Sequence, residues 1–220
     1  MKEQAEQAVP PSRGGTELRL SGGYDDGYSQ CACFWGRSPG SLVQSFIRTV
    51  PCNRLRVLDL GCGEGKNANA LALAGAAVTA VDCSSLAITN GRKAFADAEI
   101  EWIVSDGAAY LADCEPFDVI VMYGLLHCLP SLTAISTMIG SSIRKTRPGG
   151  YHIVATFNDG PHNLSAHPGL RPTLGSHQFY LDQYHMMHVL TECTEIIHEV
   201  HPNNSIPHHH SLTRLIARAM

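Results

Sequence analysis

Short apolar runs rich in Val, Ile and Leu alternate along the chain with longer segments in which Ala, Leu and Ile recur every three or four residues. The short runs are typical of strands buried on both faces, and the longer periodic segments are typical of helices. This alternation predicts a mostly parallel sheet covered by helices on both faces. Strands are predicted at 56–60, 77–82, 100–106, 117–124, 151–157, 193–200 and 211–219, and helices at 41–50, 67–76, 84–98, 131–146 and 176–190.

The carboxyl-terminal end of the chain departs from this alternation. Only the segment 201–210, which ends in three consecutive histidines, joins the last two predicted strands. A parallel pair needs a crossover of about a dozen residues or more, so these two strands are expected to pair antiparallel. The ligand crevice of an open α/β sheet lies beyond the carboxyl ends of its parallel strands, and we expect the turn 201–210 to lie there.

Composition favours a single globular domain. The chain has 220 residues, of which 44% are hydrophobic and 16% are charged, and this suits one complete core. The formal charge of -4 gives no basic surface for nucleic acid, and no apolar run reaches the roughly 18 residues of a membrane span. The N-terminus lacks the apolar core of a secretory signal, so we expect a cytoplasmic protein with reduced thiols and a flexible leader over residues 1–20.

A glycine-rich turn after the first predicted strand is the strongest chemical signal. Gly61, Gly63 and Gly65 follow the strand and open a helix, where backbone N–H groups approach a bound ligand. Asp82 ends the second predicted strand, where a carboxylate can accept hydrogen bonds from both hydroxyls of a ribose. Asp106 closes the third strand, next along the same crevice, although an Asp there could also simply cap the following helix.

The spacing of this turn argues against a dinucleotide. A pyrophosphate-binding turn needs a third glycine where the chain has Lys66, and Glu64 would lie near the phosphates. Asp59, just before the glycines, suits a ligand with an ammonium group, while the N–H groups of the turn suit a carboxylate. An adenosine that carries an amino acid, S-adenosylmethionine (SAM), meets these demands.

The stretches VLDLGCGEGKNANALALAGAAVTAVD, FDVIVMYGLLHCLP and RPGGYHIVATF resemble the successive motifs of class I SAM-dependent methyltransferases. They are most similar to those of the tellurite-resistance type and related small-molecule methyltransferases. The resemblance implies a three-layer, Rossmann-like α/β fold with a seven-stranded sheet, mostly parallel with an antiparallel last strand. It implies SAM contacts at Gly61, Cys62 and Gly63, at Asp82, Cys83 and Ser84, at Asp106 and Gly107, and at Tyr123, Gly124 and Leu125, beside the ammonium contact expected of Asp59.

The segment before the first strand carries several aromatic residues. In the resembling family this segment often folds over the cofactor, so residues 21–40, called the lid, are expected to place Tyr24, Tyr28 and Trp35 over SAM. The alternative is that Phe34 and Trp35 fill the core beneath the helix 41–50. The predicted organisation is a leader over 1–20, the lid and its helix over 21–54, and a SAM-binding methyltransferase domain over 55–220.

Histidines supply the candidates for catalysis. His127, His208 and His210 fall on segments predicted at the carboxyl ends of the strands, where a neutral imidazole suits a general base. His208 and His210 should project to the same side of an extended segment. The alternative for His127 is a purely local hydrogen-bonding role. We predict no metal ligands, because no carboxylate at ligand spacing completes a site.

These features predict an enzyme that transfers a methyl group from SAM to an O, N, S or metalloid atom of a small molecule. The expected partners are that acceptor and at most a second copy of the chain, without nucleic acid or membrane. Two alternatives stay open: a SAM-binding protein without turnover, and a metal-dependent enzyme on the same fold.

Overall fold

The computed structural model describes residues 24–167, 169–201 and 205–220, so the predicted leader over 1–20 lies outside the described residues. The strands are β1 (Arg56–Leu60), β2 (Ala77–Asp82), β3 (Ile100–Val104), β4 (Phe117–Tyr123), β5 (Thr146–His162), β6 (Met187–Glu199) and β7 (His208–Ala219). The helices are α1 (Asp25–Gln30), α2 (Ser41–Thr49), α3 (Lys66–Leu73), α4 (Ser85–Ala94), α5 (Gly107–Asp113), α6 (Leu132–Arg144) and α7 (His177–Asp182), with a 3-10 turn at Leu126–Cys128.

The strands form one sheet in the order β3-β2-β1-β4-β5-β7-β6. The first five strands are parallel to their neighbours, and β7 runs antiparallel between β5 and β6. The predicted seven-stranded, mostly parallel sheet with an antiparallel last strand is therefore confirmed. The carboxyl ends of the parallel strands meet along one edge, where the functional residues are expected.

Helices cover both faces of the sheet. On one face, α5, α6 and α7 contribute buried side chains such as Leu111, Ile139 and Tyr180 to the larger core. On the other, Phe46 of α2 and Leu71 of α3 pack against the strands. These two layers pack against both faces of β1, β2 and β4, so the loops that follow those strands start from the buried part of the sheet.

The prediction of a helix over 176–190 is wrong about the length of the helix. α7 ends at Asp182, and the chain enters β6 at Met187. The segment that follows is rich in β-branched residues, which favour a pleated surface, and it pairs along the whole length of β7. Tyr180 and Tyr184 are almost fully buried, and this fixes the helix and the turn that follows it against the sheet.

The three consecutive histidines belong to a strand rather than to the predicted turn. β5 continues to His162, which pairs with His210, and His209 pairs with His198 of β6. Strand geometry then places His208 and His210 on one side, with ring centroids 5.0 Å apart, and His209 on the other. The predicted orientation of the pair is confirmed, although its position in a turn is wrong.

Candidate functional site

A cavity of about 590 Å³ opens at the carboxyl ends of the parallel strands. Most of the residues predicted for the site lie on its wall. They are Tyr28, Trp35, Gly61, Cys62, Gly63, Asp82, Cys83, Asp106, Gly107, Tyr123, Gly124, Leu125 and His127. Four predicted site residues are not on this wall: Asp59, Ser84, His208 and His210.

The glycine turn needs its glycines for conformation and for space. Gly61, Gly63 and Gly65 all have positive φ, at +69°, +54° and +80°, a region that side chains disfavour. A Cβ on Gly61 would lie 2.7 Å from the Leu125 side chain, and one on Gly63 would lie 2.9 Å from the Tyr28 hydroxyl oxygen. The turn therefore has contact with the β4 loop on one side and with the lid on the other.

The N–H groups of the first three residues of this turn are used within the protein, so these three do not face a carboxylate as expected. Those of Gly61 and Cys62 donate to the Val81 carbonyl oxygen, at 2.8 and 3.0 Å, and that of Gly63 donates to Asp82, at 2.8 Å. The cationic group beside the turn is Lys66, which lines the cavity and whose Nζ donates to the Trp35 carbonyl oxygen at 3.0 Å.

Asp82 is held by two backbone groups at the end of β2. Its Oδ2 accepts from the Gly63 N–H at 2.8 Å, and its Oδ1 accepts from the Ser84 N–H at 2.9 Å. Burial raises the pKa of the carboxyl group, although both hydrogen bonds favour its ionised form. Each carboxylate oxygen can accept another hydrogen bond, so Asp82 offers the cavity two oriented acceptors.

Asp106 caps a helix and also lies on the cavity wall. Its Oδ1 accepts from the N–H groups of Ala108 and Ala109, at 2.9 and 3.0 Å, and so caps α5, a helix that the sequence analysis did not predict. Asp106 and Gly107 also line the cavity. The cap fixes this stretch of the wall, while a contact of Asp106 with SAM stays a prediction.

Asp59 lies behind the glycine turn, so its predicted place beside a ligand's ammonium group is wrong. Only 1% of the residue is exposed, and its Oδ2 accepts from the Ala68 N–H in the first turns of α3 at 3.0 Å. Its Oδ1 has no hydrogen-bond partner among the described residues. Burial raises the pKa of Asp59 to about 7, against the opposing effect of the Ala68 hydrogen bond.

Ser84 also lies off the cavity wall, because it caps a helix. Its Oγ accepts from the Ala87 N–H at 3.0 Å and donates to Asp25 of α1 at 2.6 Å. It therefore joins α4 to the lid rather than contacting a ligand.

The described part of the lid, residues 24–40, packs over the glycine turn. Tyr24, Tyr28 and Trp35 line the cavity, and the Trp35 Nε1–H donates to the Tyr28 hydroxyl at 3.2 Å. Phe34 is buried in a separate cluster with Tyr28 and Ala87, away from the core beneath α2. The geometry thus matches the expected cover over the cavity and not the alternative of core filling beneath α2.

His127 is buried on the cavity wall with a defined tautomer. Its Nδ1 accepts from the Phe157 N–H at 3.3 Å, so the ring hydrogen lies on Nε2, which is 3.4 Å from the Tyr24 hydroxyl. Burial, with smaller effects of His162 and His167, lowers the pKa of His127 to about 3. The ring is therefore neutral, and it presents a hydrogen-bond donor rather than a ready proton acceptor to the cavity.

The sequence family agrees with this geometry. Residues 57–150 match the family model described as a methyltransferase domain. The predicted resemblance of this stretch to methyltransferases is confirmed. Within the described residues, none of the helices has the length and apolar character needed to cross a bilayer.

Known relatives of the methyltransferase domain match part of the chain. An uncharacterized methyltransferase of Mycobacterium tuberculosis (strain H37Rv) is 32% identical over 108 residues, which are 49% of this chain and 53% of that protein. The ubiquinone biosynthesis O-methyltransferase of Pseudomonas putida (strain W619) is 33% identical over 109 residues, 48% of this chain and 46% of that protein. The chain thus spans about half the length of the curated relatives it matches.

Solved structures share the fold of the domain. TehB from Haemophilus influenzae superposes with a TM-score of 0.65 at 22% identity, covering 82% of this chain and 62% of that one. The N-methyltransferase NodS from Bradyrhizobium japonicum, in complex with S-adenosylhomocysteine, superposes with a TM-score of 0.59 at 18% identity, covering 81% and 83%.

Glu64 is a residue of the methyltransferase domain whose part in the site the sequence analysis missed. Its carboxylate accepts from the N–H groups of Cys33 and Phe34, at 2.9 and 2.5 Å, and from the Asn90 amide at 3.1 Å. Only 4% of Glu64 is exposed. An acidic residue inside a glycine turn was a signal in the sequence, but its partners lie about thirty positions earlier and follow no periodic pattern.

Proposed function

We propose that the chain binds SAM in this cavity and transfers its methyl group to a small-molecule acceptor. The observation that carries the proposal is that the glycine turn, Asp82 and Asp106, which follow three neighbouring strands, meet on one wall beneath the lid. SAM carries the methyl group on a sulfonium, and transfer releases the neutral thioether S-adenosylhomocysteine, which is a good leaving group.

The residues of the wall fit the parts of SAM. Asp82 has two oriented oxygens for the ribose hydroxyls, and Asp106 with Gly107 marks the adenine end. Because the N–H groups of Gly61, Cys62 and Gly63 are occupied, we assign the methionine carboxylate to Lys66. Burial lowers the pKa of Lys66, and an anion beside it would favour its charged form.

The part of the cavity beyond Tyr123 suits a small acceptor. Its wall carries apolar groups such as Phe157 and Leu212 and polar groups such as His127 and Arg214. A mostly apolar pocket with few polar groups is typical of small-molecule sites. Similar proteins include an O-methyltransferase of ubiquinone biosynthesis, the N-methyltransferase NodS and a magnesium protoporphyrin IX methyltransferase.

Catalysis in this proposal rests on proximity and orientation. Methyl transfer is an in-line displacement, and holding the two reactants together supplies most of the acceleration. His127 orients the acceptor by donating from Nε2, and the aromatic residues of the lid exclude water. The substrate contacts predicted for His208 and His210 are not part of the proposal, because neither lines the cavity. A cytoplasmic location and a monomeric or homodimeric state stay predictions.

Transfer of label from methyl-labelled SAM tests the proposal. The purified chain is incubated with labelled SAM and fractions of a small-molecule extract, and label is followed into products that are not protein or nucleic acid. We expect label in at least one small-molecule fraction, and none with Gly63→Val, which places a branched side chain against Tyr28. Binding of SAM without transfer to any fraction would contradict turnover and favour the alternative of a SAM-binding protein.

A further inference from the structure

Four imidazoles meet in a buried cluster outside the cavity wall. His167 comes from the loop after β5, His201 follows β6, and His208 and His210 open β7. Their exposed fractions are 8%, 4%, 3% and 0%. Neighbouring rings lie with centroids 4.7 to 5.5 Å apart. The loop after β5 and the two ends that join β6 to β7 therefore bring these rings together in one buried group, which is called the histidine cluster below.

The hydrogen bonds of His208 leave one nitrogen free. Its Nδ1 lies 2.8 Å from the Ile206 carbonyl oxygen, which can only accept, so the ring hydrogen is on Nδ1. Nε2 then carries a lone pair. The side chain is fully buried, and Nε2 has no hydrogen-bond partner among the described residues.

The ring hydrogen of His210 is also on Nδ1, because of its contact with His162. His162 donates from Nε2 to the Asn158 carbonyl oxygen at 2.7 Å, so its Nδ1 is an acceptor. That atom lies 3.4 Å from Nδ1 of His210, which must then carry the hydrogen. Nε2 of His210 is left as a second buried lone pair without a partner in the described part of the chain.

The unpartnered Nε2 atoms of His208 and His210 destabilise the fold, and their arrangement is typical of histidines that bind a metal. An unsatisfied buried acceptor destabilises the fold. Histidines that bind metals usually donate their other ring N–H to a carbonyl or similar group, which fixes the tautomer and orients the ring. His208 does this directly, and His210 does it through His162.

The remaining ligands are close to these two. The ligand atoms of His167, His208 and His210 lie within 4.8 Å of one another, and so do those of Glu199, His201 and His208. Nε2 of His201 is 3.0 Å from Nε2 of His167, near the separation of about 3.3 Å between two nitrogen ligands of tetrahedral zinc.

We propose that His167, His208 and His210 bind one divalent transition-metal ion of the Zn²⁺ class, and that His201, whose Nε2 lies 3.0 Å from Nε2 of His167, moves in as the fourth ligand. Four protein ligands make a closed site, which is the structural type. Phe34 stacks on His201 with centroids 4.8 Å apart, and Trp35 stacks on His167 at 6.1 Å. The metal would therefore fix the histidine cluster beneath the lid and support the cavity wall without entering the cavity.

Metal titration of the full chain, prepared without a histidine tag and stripped with a chelator, tests this site. Zn²⁺ is titrated in competition with a chromogenic chelator, and Co²⁺ is titrated in parallel with its visible spectrum recorded. We expect one equivalent of Zn²⁺ and a raised Tm. We also expect the Co²⁺ absorption of a tetrahedral nitrogen site, without the ultraviolet charge-transfer band that thiolate ligands give.

Variants of consecutive residues on one strand provide the matched control. His208→Ala and His210→Ala should each weaken Zn²⁺ binding about 100-fold or more, because each removes a ligand. His209→Ala should bind like the parent chain, since its ring lies on the opposite side beside His198. Absence of saturable binding to the folded parent chain would overturn the proposal, and so would a thiolate band or unchanged affinity in both ligand variants. No readout depends on methyl transfer, and the Co²⁺ spectrum needs no variant, so the outcome is independent of the proposed function.

Discussion

At the scale of single residues, three aspartates near the glycine turn have three different environments. Asp82 and Asp106 follow strand ends and lie on the cavity wall, as the sequence predicts. Asp59 lies inside β1, where successive side chains point to opposite faces, and it points toward α3. The sequence shows that a carboxylate precedes the glycines, but the face it occupies depends on how the helix after the turn packs back on the strand.

Asp59 should make stability depend on pH. Its pKa rises from 3.8 to about 7 on folding, so between these values the folded chain holds a proton that the unfolded chain has released. The free energy of unfolding then falls as pH rises through this window and is not lowered further above it. Asn at position 59 has no carboxyl group to titrate, so Asp59→Asn lacks this dependence. Each unit of difference between the folded and unfolded pKa corresponds to about 1.4 kcal/mol in the free energy of unfolding. We expect urea denaturation to show the difference between Asp59→Asn and the parent chain moving in favour of Asn by about 1 kcal/mol or more from pH 5 to pH 8.

The exposed Asp113, changed to Asn, is the matched control for this comparison and should show a difference that does not change with pH. A constant difference for Asp59→Asn as well would mean that the carboxyl group titrates normally in the folded chain.

At the scale of elements, the regular strands and helices around the cavity are predictable, and the connections between them are not. Periodicity locates β1 to β4 and the helix α4. It does not separate α7 from β6, because the segment 176–190 carries apolar residues that suit either structure. Nor does it reveal that Glu64 holds the lid, because that contact depends on where an irregular segment crosses the glycine turn.

Glu64→Ala should loosen the lid. The substitution removes the acceptor for two backbone N–H groups of the lid and for Asn90, and hydrogen bonds to a charged group are worth about 1.5–3 kcal/mol each. We expect trypsin to cut after the exposed Arg37 at least about threefold faster, and SAM to bind more weakly, with circular dichroism unchanged.

The exposed Glu115, changed to Ala, is the control for this experiment and should behave like the parent chain. Cleavage after Arg37 at the parental rate in Glu64→Ala would mean that other contacts hold the lid.

At the scale of the whole molecule, the sheet order decides which residues can meet. Parallel strands bring their carboxyl ends to one edge, so the sequence suffices to place the glycine turn, Asp82, Asp106 and Tyr123 together. The histidine cluster could not be found in this way, because its ligands come from the loop 163–176, the end of β6 and the beginning of β7. These residues meet because β5, β6 and β7 pair antiparallel and because the loop after β5 brings His167 to them. The spacing of the histidines along the chain does not predict this arrangement.

Calorimetric titration with S-adenosylhomocysteine tests the central claim, that this cavity is a SAM site held by Asp82. The parent chain should bind one equivalent, and Asp113→Ala should bind equally well. Asp82→Asn keeps the shape of the side chain but loses one oriented oxygen and the charge, so its affinity should fall about tenfold or more, which is about 1.4 kcal/mol. Absence of binding to the parent chain, or the same affinity in Asp82→Asn, would contradict the claim.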